Sequence, residues 1–390
     1  MANKPKKNIL LVSGNGYLTN GSSVAFLDLV SQIKDKYNVF AVVDRNGKLA
    51  NSLRKLNVKV IIKKQHWRIW TTSLSTKNNK NIKFFIKSLL WSFLRSYHTF
   101  FDSKLLLKHN IQLVHINTST IGFFAYGAKK ANVPYIWHFR EIINGTNTPI
   151  QFLKDKESYD LINKSKNIVY ISNSIKNNHK EFINNLNQTV VYDGLDIKKF
   201  YEERNVLKNT PVKVLSCGRM NPQKGHFQIV QTINKLNQQD IKFKLVIAGY
   251  NEDKSYTKMI NDYIKANKLE DIISYKGYVK HPEHLYKDHD VYINNGYNEG
   301  FGLTSVEAML SGCLVLANKS GGSNEIITQN KTGLLFDSKN RNDLLELLNS
   351  IFNNKTKYLN IAKQGQKYAL KFNTEQTSKK IMSIYDNILN

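Results

Sequence analysis

The chain has 390 residues, 41% hydrophobic and 22% charged, a composition that excludes an extended disordered protein. Its length is greater than one compact core accommodates and predicts about two domains. Two cysteines exclude a disulfide framework and suit small core residues in a reducing compartment, and no apolar run reaches the roughly 18 residues of a membrane-spanning helix.

The formal net charge is +27, and residues 1–196 hold most of it, with 29 Lys and Arg against 11 Asp and Glu. Such an excess predicts an anionic partner: nucleic acid, a membrane surface or a phosphorylated substrate. Only eight of the basic residues are arginine, the usual reader of base edges, which disfavours nucleic acid. A compositional bias toward Lys, Asn, Ile and Tyr, as in AT-rich genomes, would also explain part of the charge.

Short apolar runs alternate with amphipathic segments through the first half of the chain. Apolar residues at helical spacing predict a helix over Ser22–Lys36. Strands that alternate with helices favour a parallel sheet of right-handed βαβ units. The predicted buried strands are Asn8–Ser13, Asn38–Val43, Val58–Ile62, Gln112–Asn117, Pro134–His138 and Asn167–Ile171.

The segment 63–104 interrupts this alternation. It has nine Lys or Arg and one acid, Asp102, among large apolar residues. This composition is typical of an interfacial helix on anionic lipid or of a site for a lipid-linked substrate. The alternatives are an ordinary helix that packs its aromatic face on the sheet and a surface that binds nucleic acid. The apolar run at 9–12 is too short for a secretory signal, so we expect a cytoplasmic protein that can lie on the inner membrane face. The apolar residues are Trp67, Trp70, Phe84, Phe85, Leu89, Leu90, Trp91, Phe93 and Leu94.

A turn-rich, polar stretch near residues 193–211 separates the two halves of the chain. After it the alternation restarts, which predicts a second α/β domain. The predicted strands are Val212–Cys217, Phe243–Ala248, Ile272–Tyr275, Val291–Asn294 and Cys313–Ala317. The predicted helices are Gly225–Gln239, Asp253–Asn267, Asn340–Asn353 and those within Lys355–Asn390.

The most informative segment is Asn298–Met309, which follows a predicted strand and opens a helix. Gly300 and Gly302 permit unusual backbone dihedrals and close approach of a ligand. The first amides of the new helix, near Leu303 and Thr304, favour an anion such as phosphate.

Two acids flank that turn: Glu299 precedes the helix and Glu307 lies within it. A carboxylate can accept hydrogen bonds from two sugar hydroxyls. The pair could therefore bind hydroxyls on either side of a pyrophosphate.

A second anion-binding pattern lies in the segment Ser216–Gly225. Arg219 and Lys224 are five positions apart across a loop with Gly and Pro, so both can reach one point. Two fixed cations would stabilise a leaving diphosphate by about 3 kcal/mol or more in a dry cleft. A solvated loop with two ordinary charges has the same composition, so this pattern alone does not identify a site.

Together these segments resemble the retaining glycosyltransferases of family 4, which have the GT-B fold. The resemblance rests on Gly218-Arg219, Lys224-Gly225 and the pair Glu299 and Glu307. It implies that the cations bind a donor diphosphate, that Glu299 contacts the donor sugar, and that Glu307 binds the ribose hydroxyls. Gly218, Gly302, Leu303 and Thr304 would line the same donor site.

The resemblance covers essentially the whole chain and implies an α/β architecture of two Rossmann-like domains facing a central cleft. The first, 1–195, would bind the acceptor, and the second, 196–372, the nucleotide-sugar donor. A C-terminal helix, 373–390, would pack back on the first domain. Weaker matches are a Gly-Gly segment at 321–325 and a hinge at 192–196, where Asp193 replaces the usual Asn.

The resemblance also extends to four positions of the first domain. It places His138 near the reacting carbon of the donor sugar, although a strand-end histidine of purely structural function fits as well. Gly21 and Ser22 fall where the family has two glycines, as donor-side and acceptor-side residues. Asn173 matches an acceptor-side polar residue, and a helix cap by the preceding Ser172 is an equal alternative.

The function implied is transfer of a sugar, with retention at the anomeric carbon, from a nucleotide-sugar (a UDP-sugar favoured) to a hydroxyl. The transfer would need no metal and no bound cofactor. The basic, aromatic first domain suggests a lipid-linked or anionic bacterial cell-surface glycan as acceptor: capsule, exopolysaccharide or teichoic acid. The alternatives are another GT-B enzyme, such as a nucleotide-sugar epimerase or phosphorylase, and a basic nucleic-acid-binding protein.

Overall fold

A computed structural model of the chain describes residues 5–14, 16–18, 21–64, 82–120, 122–142, 156–181 and 183–390, without the side chains of 82–91 and 156–159. The chain forms two compact units. The first unit is Met1–Gly194 with Thr374–Asn390, and the second is Leu195–Asn373.

Strands and helices alternate along both units. The strands are β1 Asn8–Val12, β2 Asn38–Val43, β3 Lys59–Ile62, β4 Leu113–Ile116, β5 Tyr135–Phe139, β6 Asn167–Tyr170, β7 Gln188–Val190, β8 Val212–Cys217, β9 Phe243–Ala248, β10 Ile273–Tyr275, β11 Val291–Asn294, β12 Leu314–Asn318 and β13 Leu334–Phe336. The helices are α1 Gly21–Ile33, α2 Lys48–Lys55, α3 Ile82–Lys108, α4 Phe123–Lys130, α5 Lys156–Asn163, α6 Asn173–His179, α7 Ile197–Phe200, α8 His226–Gln238, α9 Lys254–Ala266, α10 Glu283–Lys287, α11 Leu303–Leu310, α12 Ser323–Ile326, α13 Asp343–Asn353, α14 Lys355–Ala369 and α15 Thr374–Leu389.

Each unit is built on one parallel sheet. Among the described residues the first sheet has seven strands in the order β3-β2-β1-β4-β5-β6-β7, and the second has six in the order β10-β9-β8-β11-β12-β13. Every pair of neighbouring strands is parallel. The expected α/β architecture is confirmed. The strands β7 and β13 are additional to those predicted from the sequence.

The strand order fixes where a ligand site can form. The order reverses between β1 and β4 in the first sheet and between β8 and β11 in the second. At such a point the loops that follow the two strands diverge to opposite faces and leave a crevice at their carboxyl ends. In the second unit those loops are 218–225 and 295–302, the two segments that the sequence singles out.

The C-terminal helix α15 belongs to the first unit. Its Ile381 and Tyr385 are fully buried in the core of that unit. On the solvent side, the Tyr37 hydroxyl donates to Asp386 Oδ1 at 2.7 Å, and Lys36 pairs with the same carboxylate. The buried apolar side chains, the hydrogen bond from Tyr37 and the ion pair with Lys36 together hold the helix on the first unit.

Helix α3 has two contrasting faces in its described part. One face packs on α4: His98 stacks on Phe123 with ring centroids 4.3 Å apart, and Asp102 is buried against the Lys63 ammonium. The opposite face exposes apolar and cationic side chains, among them Phe93, Tyr97, Phe100, Phe101, Lys104 and Leu107. The expected Trp67 and Trp70 lie outside the described residues, as do the side chains of Phe84, Phe85, Leu89, Leu90 and Trp91.

Candidate functional site

Lys224 and Glu299 meet at the strand-order reversal of the second sheet. The Lys224 ammonium donates to Glu299 Oε1, and the two side chains are 24% and 15% exposed. Backbone contacts join the two loops, because Tyr297 N–H donates to the Gln223 carbonyl at 2.9 Å. Adjacent parallel strands end at the same edge, so residues 75 positions apart become neighbours.

The loop before Lys224 is built by a cap. Asn221 accepts the Lys224 N–H at its side-chain oxygen, 3.2 Å away, and caps the 3₁₀ turn Pro222–Lys224. Proline at the first turn position costs no hydrogen bond there. The result is a short, preorganised turn that directs the Lys224 side chain toward Glu299.

Glycines hold the turn that precedes α11. Gly302, with φ of 101°, is the residue before the helix, a conformation that other residues rarely adopt. Gly321 has φ of 57°, and a Cβ there would lie 2.2 Å from the Glu299 carbonyl oxygen. The Gly322 N–H donates to that same oxygen at 2.8 Å. This packing leaves the first amides of α11, at Leu303 and Thr304, as helix-start donors for an anion.

Glu307 lies in the second turn of α11. It accepts a 2.7 Å hydrogen bond from the Tyr286 hydroxyl. Burial raises the pKa of Glu307 to about 7, and the nearby Glu283 adds to this, while Tyr286 and Lys199 oppose it. The carboxyl group is therefore partly protonated at neutral pH. At higher pH it is a carboxylate, which accepts hydrogen bonds.

Among the described contacts, Arg219 pairs with neither Glu299 nor Glu307. Its guanidinium pairs with Glu252 at 2.5 Å, and the two side chains are 56% and 38% exposed. Asn221 also donates to the Glu252 carboxylate. Of the two cations that the sequence brings to one point, the described contacts place only Lys224 there. Glu252 was not foreseen, although it follows β9, the neighbour of β8, and so ends at the same edge.

His226, at the start of α8, is a further buried residue that sequence reasoning missed. Its Nδ1 lies 3.1 Å from Ser216 Oγ, which donates to the Ile293 carbonyl at 2.9 Å. Ser216 can then accept only if Nδ1 carries the histidine proton. Burial lowers the pKa of His226 to about 4. Through Ser216 of β8, His226 links the start of α8 to β11.

The donor-side candidate Gly21 and the acceptor-side candidates Ser22 and Asn173 all lie in the first unit. Gly21 and Ser22 open α1. Ser172 caps α6 by accepting the Ile175 N–H at 3.1 Å, as the alternative for this segment expects. The neighbouring Asn173 donates to the Tyr192 hydroxyl at 3.1 Å.

His138 lies at the end of β5 and is 1% exposed. It lines a pocket of the first unit together with Arg140 and Asp193. Arg140 pairs with Asp193 at 2.6 Å and donates to Asn117 Oδ1 at 2.9 Å. Burial, with the charge of Arg140, holds the pKa of His138 well below its ordinary range, so the imidazole is neutral at pH 7.

The chain is similar to a described family and to curated proteins. Residues 197–368 match the profile of the family described as Glycosyl transferases group 1. The chain is 27% identical over 225 residues to the uncharacterized glycosyltransferase MJ1178 of Methanocaldococcus jannaschii, which covers 57% of this chain. It is 26% identical over 240 residues, 60% of its length, to the poly(ribitol-phosphate) alpha-N-acetylglucosaminyltransferase of Staphylococcus aureus. These matches span 60% and 47% of the two relatives, so the chain corresponds to about half of their length.

The fold has solved counterparts over nearly the whole chain. The structure of HepE from Anabaena, in complex with UDP and glucose, superposes with a TM-score of 0.77 at 17% identity and covers 98% of this chain and 100% of its own. This likeness shows the fold, the GT-B class of two Rossmann-like domains, and confirms that expectation. Among the described residues, no helix is long and apolar enough to cross a bilayer.

Proposed function

We propose that this chain is a glycosyltransferase that moves a sugar from a nucleotide-sugar to a hydroxyl acceptor. The observation that carries the proposal is the contact of Lys224 with Glu299 at the strand-order reversal, beside the start of α11. Cation, carboxylate and helix amides are the groups that a sugar diphosphate needs. The match of residues 197–368 to Glycosyl transferases group 1 supports the same assignment.

The proposed donor site uses Lys224 as the diphosphate ligand, with the backbone at Gly218, Gly302, Leu303 and Thr304. A diphosphate carries more charge than the Glu299 carboxylate and would compete for the Lys224 ammonium. Glu299, released from the ion pair, would then accept hydroxyls of the sugar. The ion pair places the two groups side by side in the proposed donor site.

Two further donor contacts are proposed. Glu307 would accept the two ribose hydroxyls through its carboxylate. Arg219 would leave Glu252 and add a second cation at the diphosphate. Because the Arg219–Glu252 pair is largely exposed, water screens it and little free energy holds it together.

The proposed reaction is retaining and needs no metal. The bond between the anomeric carbon and the diphosphate oxygen breaks, and a bond from that carbon to the acceptor oxygen forms on the same face. The acceptor hydroxyl proton passes to the leaving phosphate, which takes up the bonding electron pair. Lys224, Arg219 and the α11 amides stabilise that leaving charge. His138, in the first unit, is proposed near the reacting carbon by the family resemblance.

We propose a UDP-sugar as donor and an anionic or lipid-linked surface glycan as acceptor. The Anabaena counterpart was solved with UDP, and one relative is named for transfer to poly(ribitol-phosphate). The excess of 29 basic over 11 acidic residues in 1–196 suits a polyanionic acceptor bound by the first unit. Gly21, Ser22 and Asn173 are the residues of that unit proposed to line the substrate site.

A peripheral position on an anionic membrane belongs to the same proposal. On the exposed face of α3, Phe93, Tyr97, Phe101 and Leu107 are 68%, 46%, 45% and 63% exposed and recur at helical spacing. The Lys104 and Lys130 ammonium groups lie 4.2 and 5.1 Å from the Phe100 ring centroid. The one acid of residues 82–130 is the buried Asp102, so the exposed charge of this stretch is cationic. Aromatic residues with cations are typical of surfaces that bind anionic lipid.

A donor screen tests the proposal. The thermal unfolding of the full chain would be followed with UDP-, GDP- and ADP-sugars, because a ligand at 100 times its Kd adds about 2.7 kcal/mol to the folded state. Product analysis without acceptor separates the alternatives, since an epimerase converts the nucleotide-sugar alone. The nucleic-acid-binding alternative would be favoured by two results together: none of the nucleotide-sugars stabilises the protein, and the protein binds nucleic acid at physiological salt.

A further inference from the structure

Three buried side chains of the first unit form a hydrogen-bonded chain that ends at a pocket. The Tyr385 hydroxyl of α15 lies 2.5 Å from His115 Nδ1, and His115 Nε2 lies 3.2 Å from His138 Nδ1. All three side chains are at most 1% exposed. His138 lines the pocket, and its second nitrogen, Nε2, has no hydrogen-bond partner among the described residues.

The Tyr385 hydroxyl determines which atom donates in each of these hydrogen bonds. Within the described part of the protein, the contact with His115 Nδ1 is the one hydrogen bond of its hydroxyl. Burial raises the pKa of Tyr385, so the hydroxyl keeps its proton. If the oxygen accepted from His115, its own buried proton would have no acceptor, which is unfavourable in a protein interior. The hydroxyl therefore donates to Nδ1.

The proton that Tyr385 donates also fixes the proton positions on the two imidazole rings. Burial lowers the pKa of His115 to about 3, and the charge of Arg140 adds to the effect, so the ring is neutral. A neutral imidazole has one N–H and one bare nitrogen. Since Nδ1 of His115 accepts, Nε2 has the proton and donates to His138 Nδ1. Neutral His138 must then carry its own proton on Nε2, the nitrogen without a partner.

We propose that Tyr385 and His115 are positioning residues that hold His138 as the neutral Nε2–H tautomer. His138 then serves a bound sugar as a hydrogen-bond donor and not as a base. The inference rests on the proposed function for the identity of the ligand, whereas the tautomer itself depends only on the first unit. It also gives the C-terminal helix α15 a function at the site, because Tyr385 begins the chain.

The tautomer is measured directly by long-range ¹H–¹⁵N NMR of the full chain labelled at histidine, without substrate at pH 7. Spectra of His138→Gln and His115→Gln assign the two rings. We expect the proton between the rings on His115 Nε2 and a second proton on His138 Nε2. A proton on His138 Nδ1, or a doubly protonated His138, would overturn the proposal.

The effect of Tyr385 is tested by removing one oxygen. Tyr385→Phe deletes the first donor and should change the ratio of the two proton positions by about fivefold, the usual effect of one neutral hydrogen bond. Tyr37→Phe is the matched control, because Tyr37 packs edge-on against Tyr385, 5.6 Å between centroids, and donates to Asp386 instead. An unchanged ratio in Tyr385→Phe would exclude Tyr385 from the positioning role.

The donor role of His138 is tested with two amides. A glutamine at 138 places its N–H near the position of Nε2, whereas asparagine places it near Nδ1, toward His115. We expect His138→Gln to turn over at least about tenfold faster than His138→Asn. Equal losses in both would contradict donation. If the tautomer is as expected and no nucleotide-sugar is turned over, the proposed function fails while the positioning stands.

Discussion

The Lys224 ammonium donates to Glu299 Oε1 across the two loops that follow β8 and β11. The contact joins a cation and a carboxylate at the reversal of strand order, the place where open parallel sheets bind ligands. Both side chains are mostly buried, so a diphosphate that displaces Glu299 would meet Lys224 with little competition from water.

Lys224→Ala should lower turnover of the nucleotide-sugar at least ~10²-fold, the usual effect of removing one stabiliser of a leaving charge. Steady-state kinetics measures the loss. Lys242→Ala is the matched control, because Lys242 also pairs with an acid, Asp240, but precedes β9 at the opposite edge of the sheet. Near-normal turnover in Lys224→Ala would remove Lys224 from the site.

Glu252→Gln should remove the ion pair with Arg219. Arg219, the proposed second cation, could then reach the diphosphate. We expect the donor KM of this variant to fall or stay level, whereas Arg219→Ala should reduce turnover by at least ~10²-fold. Donor KM and kcat are measured for both. Full activity of Arg219→Ala would show that Arg219 serves only the Glu252 pair.

Glu307 predicts a pH dependence of stability. Because its pKa is about 7 in the folded chain against 4.5 ordinarily, the folded state holds a proton that the unfolded state releases between these values. The free energy of unfolding contributed by Glu307 should therefore fall as pH rises from 4.5 to 7, by up to about 1.4 kcal/mol per pH unit.

Denaturant unfolding at several pH values checks this effect. Glu307→Gln removes the titration, so its stability relative to the unsubstituted chain should rise across that range, while the exposed Glu346→Gln should not alter the profile. Parallel profiles of Glu307→Gln and the unsubstituted chain would contradict the raised pKa.

Nucleotide affinity should increase with pH near 7, since the carboxylate, not the acid, accepts two hydroxyls.

The exposed face of α3 should bind anionic vesicles. The chain should pellet with vesicles of phosphatidylglycerol and phosphatidylcholine at low salt and remain in solution with phosphatidylcholine alone. Replacing Phe93 and Leu107 by Ser should weaken the binding about tenfold, given the apolar area lost. Leu186→Ser, at a residue 97% exposed elsewhere in the first unit, is the control. Binding that is equal in both variants would place the contact away from α3.

The sequence predicted the long strands well because buried parallel strands are nearly continuous apolar runs, as in Val212–Cys217 and Phe243–Ala248, whose bounds match the structure. The Lys224–Glu299 contact was within reach because both residues belong to loops after predicted strands. The Tyr385–His115 bond was not, since it joins positions 270 apart through packing of α15 that no local pattern encodes.

The pairing of Glu252 with Arg219 could not be predicted from the sequence either. An exposed acid in a loop has no periodicity or spacing that marks it, so its pairing with Arg219 depends on β9 lying beside β8. Strand order is set by packing of the whole sheet and not by the residues of one strand.

Binding of UDP to the full chain by isothermal titration calorimetry, with uridine as the control, tests the central claim most directly. We expect UDP to bind and uridine to bind far more weakly, because the diphosphate supplies the contacts at Lys224 and the α11 amides. Lys224→Ala should remove most of the difference. Equal binding of UDP and uridine, or no binding of any nucleoside diphosphate, would contradict the donor site proposed here.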